Sequence, residues 1–388
     1  MNDWPALPCH RRAGSPVVFD PCRKILIPSS PEEDVRQRFV SYLSQELGIP
    51  PTALYTEQPL SAWSGGGRGR VDIVSWVQIP SGERTLLLVE CKAPHVVITD
   101  DTFDQLARYD DDIGADYLAI TNGTLTEWYR YDPEQECHEL IEGPPTFEEM
   151  LAGSGPDVLA LAAPPHRPAF GDVGRRAREL LLENAVLGEG SPGDHHEYLF
   201  NLGGLFQFDP GAPLRDWTTL NLIDVGERFT EFGNAAGGKW PGRYRYFHIE
   251  DEVGDSQIVS MAVLGKMMTT NDPRFGNANG HTILVVAVDD FETRHSSLQL
   301  DLDRFVRRNG RLMDVWHDGT LTHGKRGPVK RAEVMTHIAK RDRSLLRGSE
   351  IFLGSFPADR SAAWADVSDL TERIARYALL RTDLRRTR

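Results

Sequence analysis

The sequence predicts a mixed α/β (α+β) protein with an N-terminal α/β domain and a β-rich C-terminal domain. The length of 388 residues suggests about two domains. Helix, strand, strand, helix, strand and strand patterns follow one another between residues 23 and 142. Beyond residue 170, short strand-like runs alternate with turn residues. Residues 1–22 lack periodicity and predict a loose N-terminal arm, and the Pro-, Gly- and Ala-rich residues 143–170 predict a linker with one short helix. Residues 171–388 are predicted to form a β-rich α+β domain, with binding, dimerisation and regulation left open as its role.

The first helix is predicted at "PEEDVRQRFVSYLSQELGI", where Ser30 is a suitable N-cap and Pro31 suits the first helical position. Apolar residues recur there every four positions, which indicates an amphipathic helix. "ALYTEQPL" predicts a short strand, and the runs at 71–79 and 85–91 predict a hairpin around a Pro-Ser-Gly turn. "DTFDQLARYDDDIG" predicts a second helix, followed by strands at "DYLAITNG" and "TEWYRYD".

The second domain contains strand patterns at "RYRYFHI", "SQIVSMAVLG", "HTILVVAVDDF", "SLQLDLDRF" and "RLMDVWHDGTLTHGK". Helices are predicted at "DVGRRARELLLENA", "PVKRAEVMTHIAKR" and "ADVSDLTERIARYALLR". His195, His196 and Glu197 are consecutive, and the sequence around them offers no third ligand at a spacing typical of metal sites. The sequence therefore predicts a strand-rich fold here without an identifiable chemistry.

The composition is that of a globular protein, with 40% hydrophobic and 26% charged residues. No apolar run approaches the roughly 20 residues of a membrane span, and the start lacks the apolar core of a signal peptide. The lack of such a run predicts no membrane partner. The four cysteines show no CxxC spacing, so we expect a reduced, cytoplasmic setting. The net charge of -14 argues against a general nucleic-acid coat protein. It leaves a nuclease open, because metal-binding carboxylates raise the acidic count.

Charged residues at the hairpin end are the strongest functional signal. Glu90 and Lys92 lie on one face of the predicted strand "LLLVECK", and Asp72 lies near the start of its partner strand. Buried charges are costly unless they are paired or bind a metal. Two carboxylates suit Mg²⁺, and a lysine beside them can orient water or stabilise charge on a phosphate. The alternative is a structural ion pair.

Asp72 with Glu90-Cys91-Lys92 resembles the core of the PD-(D/E)XK nuclease superfamily, with Val71 in place of the motif's proline. The segments "PEEDVRQ", "RVDIV", "VECKAP", "QLARY" and "ITNG" resemble, in order, the nuclease domain of type I restriction enzyme R subunits. They are most similar to a family of shorter, stand-alone proteins with that domain. The resemblance covers roughly residues 23–135 and implies a PD-(D/E)XK restriction-endonuclease-like fold for residues 23–142. It also implies Mg²⁺-dependent hydrolysis, with Mn²⁺ as a substitute. No P-loop motif occurs, so ATP-driven translocation is not implied.

The resemblance implies a metal site formed by Glu33, Asp72 and Glu90, with Glu32 as the neighbouring alternative to Glu33. It also implies that Asp72, Glu90 and Lys92 are catalytic. For Glu33 the other interpretation is a helix pair with Arg36, three residues further along.

Gln105 and Tyr109 match a Q-x-x-x-Y motif on the second helix, and their spacing places them on one helix face. The resemblance implies that Gln105 is catalytic and that both residues contact nucleic acid, although surface helix residues would show the same spacing. Arg68 and Arg70, in and after a Gly-rich loop, are further candidates for contact with a DNA backbone.

The strongest basic stretch runs from Lys325 to Arg347. Lys325, Arg326, Lys330 and Arg331 are its candidate nucleic-acid contacts. The alternative is a solvated helix face that pairs with acids elsewhere in the chain.

The sequence is therefore interpreted as a Mg²⁺-dependent endonuclease that hydrolyses DNA phosphodiester bonds in restriction or phage defence. DNA is favoured over RNA as the partner, and a homodimer or a defence-complex partner is left open. The alternative is a non-catalytic module that binds nucleic acid or a partner protein on a nuclease scaffold.

Overall fold

The structure is a computed structural model that describes residues 4, 7–8, 10–63, 69–80, 82–159, 167, 169–171, 175–183, 185–209, 222–233, 239–250, 256–272, 276–290, 293–322 and 327–387. The chain divides into two compact units, Met1–Ala162 and Ala163–Arg388.

The first unit contains three helices and nine strands among its described residues. The helices are α1 (Pro31–Gln45), α2 (Asp100–Ile113) and α3 (Phe147–Ala152). The strands are β1 (His10–Arg12), β2 (Ser15–Asp20), β3 (Ile25–Pro28), β4 (Leu54–Pro59), β5 (Arg70–Ile79), β6 (Gly82–Cys91), β7 (Tyr117–Thr121), β8 (Thr126–Asp132) and β9 (Cys137–Ile141). The predicted first and second helices, the hairpin and the two strands after it are all present.

A six-stranded sheet with the order β4-β5-β6-β7-β8-β9 forms the centre of this unit. Its neighbours pair antiparallel except β6 and β7, which are parallel. Parallel neighbours need a crossover connection, and α2 is in that connection. Apolar side chains of α1 and of α2 belong to two different apolar clusters, and each cluster also contains side chains of the sheet. The sheet therefore separates two helices.

Helix α1 begins as the sequence predicts. The Ser30 side chain accepts a hydrogen bond from the backbone N–H of Glu33, and Pro31 is the first helical residue. Val35, Phe39 and Leu43 are buried against the sheet. The cap and the apolar stripe both fix where the acidic first turn of α1 lies.

The interpretation of residues 1–22 as a loose arm is wrong for the described part of that segment. Strands β1, β2 and β3 form a three-stranded antiparallel sheet, and the Trp4 ring packs on Phe39 and Tyr42 of α1. The strands are short and much of β1 and β2 is exposed, so their sequence shows no sustained alternation. Tertiary contacts with α1 order this segment instead.

The second unit contains five helices and eleven strands among its described residues. The helices are α4 (Arg175–Glu183), α5 (His196–Phe208), α6 (Leu302–Phe305), α7 (Arg331–Arg341) and α8 (Trp364–Arg386). The strands are β10 (Ile223–Gly233), β11 (Lys239–Glu250), β12 (Ser256–Asp272), β13 (Gly276–Asp290), β14 (Thr293–Asp301), β15 (Val306–Asn309), β16 (Leu312–His317), β17 (Leu321–Thr322), β18 (Pro328–Val329), β19 (Leu346–Arg347) and β20 (Glu350–Pro357).

Two sheets organise this unit, a five-stranded antiparallel sheet β10-β11-β12-β13-β14 and a four-stranded sheet β15-β16-β20-β19. Side chains of α5 and α8 join both sheets in one apolar core. The sequence analysis did not predict α5, because its residues from Tyr198 to Gln207 are all buried and a helix that is apolar all round shows no amphipathic period.

The chain is thus a mixed α/β protein whose second unit is rich in strands, which confirms the predicted fold class. Among the described residues, no helix has the length and apolarity that crossing a membrane requires.

Replacing Trp4 by Ala tests whether the N-terminal segment belongs to the folded unit. Because the ring is buried on Phe39 and Tyr42, we expect Trp4→Ala to lower the free energy of unfolding by about 3 kcal/mol in urea denaturation. Leu125→Ala, at an exposed position, is the control and should change stability by less than about 0.5 kcal/mol. Equal stability of the two variants would mean that the segment does not contribute to the fold.

Candidate active site

The open end of the β5–β6 hairpin gathers the acidic residues that the sequence singled out. Ile73 of β5 pairs with Val89 of β6, so the next residues towards this end are Asp72 and Glu90. The backbone N–H of Cys91 donates to Asp72 Oδ2 at 2.6 Å. Asp72 and Glu90 are both largely buried. The hairpin register therefore places two carboxylates side by side in a poorly solvated position.

Lys92 and Gln105 form one hydrogen-bonded group with Glu90. Lys92 Nζ lies 2.5 Å from Glu90 Oε1 and 3.3 Å from Gln105 Oε1. Gln105 Nε2 donates to the same Glu90 oxygen at 2.8 Å and lies 3.3 Å from the Tyr109 hydroxyl. Gln105 and Tyr109 come from α2, so the face that their spacing predicts is turned towards the end of β6. Both described hydrogen bonds to Glu90 involve Oε1.

A second group centres on the Arg36 guanidinium, whose side chain is only 5% exposed. Its nitrogens lie 2.7 Å from Asp72 Oδ1, 2.5 Å from Glu33 Oε2 and 2.5 Å from Glu57 Oε1. Glu32 is a weaker partner at 3.4 Å. The arginine thus connects the first turn of α1 to β4 and β5. The helix pair of Glu33 and Arg36, left open by the sequence, is present.

Glu57 reaches this group from β4. The β4–β5 register is continuous, with Thr56 paired to Ile73 and Gln58 to Val71, so Glu57 lies opposite Asp72. Glu57 also has a φ of 55°, in the left-handed region that costs free energy for residues other than glycine. The Glu57 carboxylate lies between two arginines, Arg36 and the more exposed Arg70, which donates at 2.5 Å.

Burial and charge perturb the ionisation of this cluster. Burial, together with the nearby charge of Glu90, raises the pKa of Asp72 to about 7, although Arg36 opposes the rise. Burial also raises the pKa of Glu90, and Lys92 opposes that change. Burial lowers the pKa of Lys92, but the charge and hydrogen bond of Glu90 outweigh it, so the net direction is upward. Lys92 therefore stays an ammonium, and Asp72 is poised to lose its proton near neutral pH.

The donor set fits a hard divalent cation. Mg²⁺ takes oxygen ligands, needs only one or two protein carboxylates and keeps several waters. Asp72 and Glu90 supply such carboxylates. The side-chain oxygen of Gln37, next to Glu33, is buried and has no hydrogen-bond partner among the described residues. The end of the hairpin thus offers two anionic oxygen ligands, from Asp72 and Glu90.

The structure does not bring Glu33 to the other two predicted ligands. The donor atoms of Glu33, Asp72 and Glu90 do not all lie within 4.8 Å of one another in the described structure. Glu33 instead contacts Arg36 and accepts a hydrogen bond from Gln37 at 2.8 Å. The physical reason is charge balance, because the guanidinium occupies the space between the acids of α1 and Asp72.

The predicted nucleic-acid contacts have mixed placements. Arg68, Lys325 and Arg326 lie outside the described residues. Arg70 is 61% exposed but pairs with Glu57, and Lys330 is exposed at the start of α7. Arg331 donates to the backbone carbonyls of Asp318 and Ser349. Arg331 therefore has structural partners that the sequence analysis did not predict.

Arg36 and Glu57 are the site residues that the sequence analysis missed as members of the cluster. The spacing of Arg36 from Glu32 and Glu33 signals a helix pair but not a contact with Asp72. The conformation of Glu57 has no signal in the sequence, because the residues around it read as an ordinary strand.

The raised pKa of Asp72 predicts a pH dependence of metal-free stability. Below pH 7 the folded chain holds a proton on Asp72 that the unfolded chain, with its ordinary value of 3.8, releases. This contribution to stability is complete below 3.8 and is lost as the pH rises through 7. Without metal, Asp72→Asn should be roughly 1–3 kcal/mol more stable than the unsubstituted protein at pH 8. Chemical denaturation should show that this difference in stability becomes smaller as the pH falls from 8 to 5.

The exposed Glu134 provides the control substitution for that series. Glu134→Gln should show no comparable pH-dependent difference. A stability gain in Asp72→Asn that is the same from pH 5 to pH 8 would contradict the raised pKa.

Removing the guanidinium tests the role of Arg36. Arg36→Met keeps an unbranched stem but leaves the surrounding carboxylates unbalanced, so the metal-free protein should lose about 3–5 kcal/mol of stability. Mg²⁺ should restore part of that loss. Arg84→Met removes a half-exposed ion pair with Asp116 and should not be rescued by Mg²⁺. A variant of Arg36 that is stable without metal would refute the charge-balance account.

Comparison with known proteins relates one segment of the chain to a family. Residues 31–145 match the family described as the type I restriction enzyme R protein N terminus. The matched segment contains Asp72, Glu90, Lys92 and Gln105 but covers less than half of the chain. No curated protein and no solved structure matches. The match points to a restriction-related, nuclease-like role for this segment.

Proposed function

We propose that the segment 31–145 is a metal-dependent endonuclease domain of the PD-(D/E)XK type that hydrolyses DNA phosphodiester bonds. The observation that carries the proposal is the convergence of Asp72, Glu90, Lys92 and Gln105 at the end of β5–β6. It occurs within the segment that matches a restriction enzyme family.

Asp72 and Glu90 would hold one Mg²⁺, for which Mn²⁺ could substitute. Glu33 would join them when Arg36 withdraws from Asp72. A bound ion supplies a Lewis acid that polarises a phosphate and lowers the pKa of a bound water. The raised pKa of Asp72 means that protons compete with a cation below about pH 7.

Lys92 would act on the reacting phosphate or its water. Its ammonium is held by Glu90 and Gln105 and remains partly exposed. A fixed positive charge beside a developing anion stabilises the transition state without reorganisation. Gln105 would position Lys92 and Glu90, and its amide could also hold a water, base or phosphate oxygen. The Tyr109 hydroxyl, one turn further along α2, accepts a hydrogen bond from Gln105 Nε2.

The substrate class follows from the family match, which implies interaction with DNA, and we favour DNA over RNA on that basis. Arg68, Arg70 and Tyr109 are the proposed contacts in this unit. A role in restriction or phage defence, in the cytoplasm where such DNA is met, completes the proposal. Residues 171–388 would serve target binding, dimerisation or regulation.

One observation favours a second candidate, a non-catalytic binding module on a nuclease scaffold. Arg36 pairs with Glu33, Glu57 and Asp72, while Arg70 pairs with Glu57 and Lys92 with Glu90. A cluster whose charges are largely balanced by its own cations needs no metal for stability. In this alternative the acids anchor α1 to the sheet. Cleavage by the purified protein separates the two candidates.

Lys92→Ala is the variant that tests the catalytic assignment. Both proteins are incubated with plasmid, linear and single-stranded DNA and with RNA, in the presence of Mg²⁺ or Mn²⁺. The unsubstituted protein should cut DNA. The variant should keep DNA affinity and cut at least about 100-fold more slowly. If Lys92 only balances charge, the variant should instead lose about 3–5 kcal/mol of stability and retain turnover, an outcome that refutes the catalytic role. Lys239→Ala, at an exposed surface pair, is the matched lysine control.

The basic stretch is tested with Lys330 and Lys340, which line one depression of about 460 Å³ beside α7. If they contact phosphates, the double variant Lys330→Gln/Lys340→Gln should reduce the salt slope of DNA affinity by about 1.8, since each contact contributes roughly 0.9. Lys239→Gln serves as the control. An unchanged slope would assign this stretch to ordinary surface pairing. Arg331 is excluded, because its loss would remove hydrogen bonds to backbone carbonyls.

A further inference from the structure

The second unit contains a partly buried cluster of histidines and aspartates that shares no residue with the proposed nuclease site. His281 lies on β13, Asp301 is the last residue of β14, and Asp303 is on α6. Within the part of the chain that the structure describes, one donor atom of each lies within 4.8 Å of the other two. The side chains of Asp301 and Asp303 are 3% and 1% exposed. Two buried carboxylates thus lie beside an imidazole.

The sheet register explains why these residues meet. Asp301 pairs with Ile283 across β13 and β14, and His281 is two residues before Ile283 on the same face of the strand. The Nδ1 atom of His281 lies 3.0 Å and 3.2 Å from the two carboxylate oxygens of Asp301. Asp303 follows directly on the short helix.

Asp303 is held in place by a third segment of chain. Its Oδ2 accepts hydrogen bonds from the Ser191 hydroxyl at 2.7 Å and from the Thr282 backbone N–H at 2.8 Å. Its Oδ1 lies 3.0 Å from Nδ1 of His195. These partners fix the orientation of the carboxylate, as outer-shell residues do around metal ligands.

The segment that carries Ser191 and His195 is itself fixed on the sheet. A Cβ atom at Gly188 would come within 1.8 Å of the Gly280 carbonyl oxygen, so only glycine allows this approach. The backbone N–H groups of Gly188 and Gly190 donate to Thr282 Oγ1 and to the Gly280 carbonyl. The polar groups around Asp303 are therefore preorganised by close backbone packing.

Charge leaves room for a cation in this cluster. Arg304 Nε lies 3.1 Å from Asp301 Oδ2 and balances one carboxylate. The other described side-chain and backbone partners of the two aspartates are imidazoles, a hydroxyl and a backbone N–H group. Buried charges are ordinarily paired or bound to a metal.

We propose that His281, Asp301 and Asp303 bind one divalent transition-metal ion of the Zn²⁺ or Mn²⁺ class, with water completing its coordination. Mixed imidazole and carboxylate donors suit these ions better than Mg²⁺, which prefers oxygen alone. His195 orients Asp303, and Arg304 supports Asp301. The ion would connect β13, β14 and α6 and stabilise the second unit.

The test is a titration of the full chain in an Asp72→Asn/Glu90→Gln background, which removes the carboxylates of the proposed nuclease site. Zn²⁺ and Mn²⁺ binding is measured by calorimetry and by metal content after dialysis. We expect one ion per chain and a higher melting temperature with that ion, because a ligand that binds only the folded state stabilises it. Absence of both would overturn the proposal, whatever the nuclease assays give.

His281→Gln keeps a side-chain hydrogen-bond donor but removes the imidazole, and should weaken Zn²⁺ affinity at least about tenfold. His337→Gln is the matched control, since His337 is similarly exposed (16% against 18%) and lies 3.3 Å from a single carboxylate, Asp383. It should bind like the background protein. Asp301→Asn provides a second ligand variant if His281→Gln folds poorly. Equal Zn²⁺ affinity of the ligand variants and the control would also overturn the proposal.

Discussion

The buried guanidinium of Arg36 is the interaction on which the first unit's polar site depends. It contacts Glu33, Glu57 and Asp72 in a region of low solvent access. Without a cation at that position, three acids from three elements would repel one another in a poorly screened environment. The same contact ties the start of α1 to the edge of the sheet. One side chain therefore determines both the charge of the cluster and the position of the helix.

The surrounding fold makes this arrangement reproducible. The β5–β6 register puts Asp72 beside Glu90, and the parallel pairing of β6 with β7 requires a crossover that contains α2 and Gln105. Glu57 of β4 contacts Arg36 from a left-handed backbone conformation. Such local strain persists where surrounding contacts determine the conformation. The two groups, one around Arg36 and one around Lys92, meet at the paired ends of β5 and β6.

Sequence reasoning predicted the elements that carry a clear period or cap, such as α1 with Ser30, and it singled out Asp72, Glu90, Lys92 and Gln105 before their proximity was known. It missed α5, because burial on every side removes the amphipathic pattern. It missed Glu57 because neither its left-handed conformation nor its contact with Arg36 has a signal in the strand pattern. It dismissed His195 for lack of a nearby third ligand, whereas the cluster partners lie about 90–110 residues further along the chain. The β13–β14 register brings His281 to Asp301, and close packing of the Gly188 segment on the sheet brings His195 to Asp303.

The central claim is that the end of the β5–β6 hairpin is a metal site in which a divalent cation replaces the Arg36 contact with Asp72. Anomalous diffraction from crystals soaked in Mn²⁺ at pH 8 measures this directly. The account predicts a peak bound by oxygens of both Asp72 and Glu90, at about 2.0–2.3 Å, with the Arg36 guanidinium displaced from Asp72. No peak between these two carboxylates, with Arg36 still paired to Asp72 at saturating Mn²⁺, would contradict it.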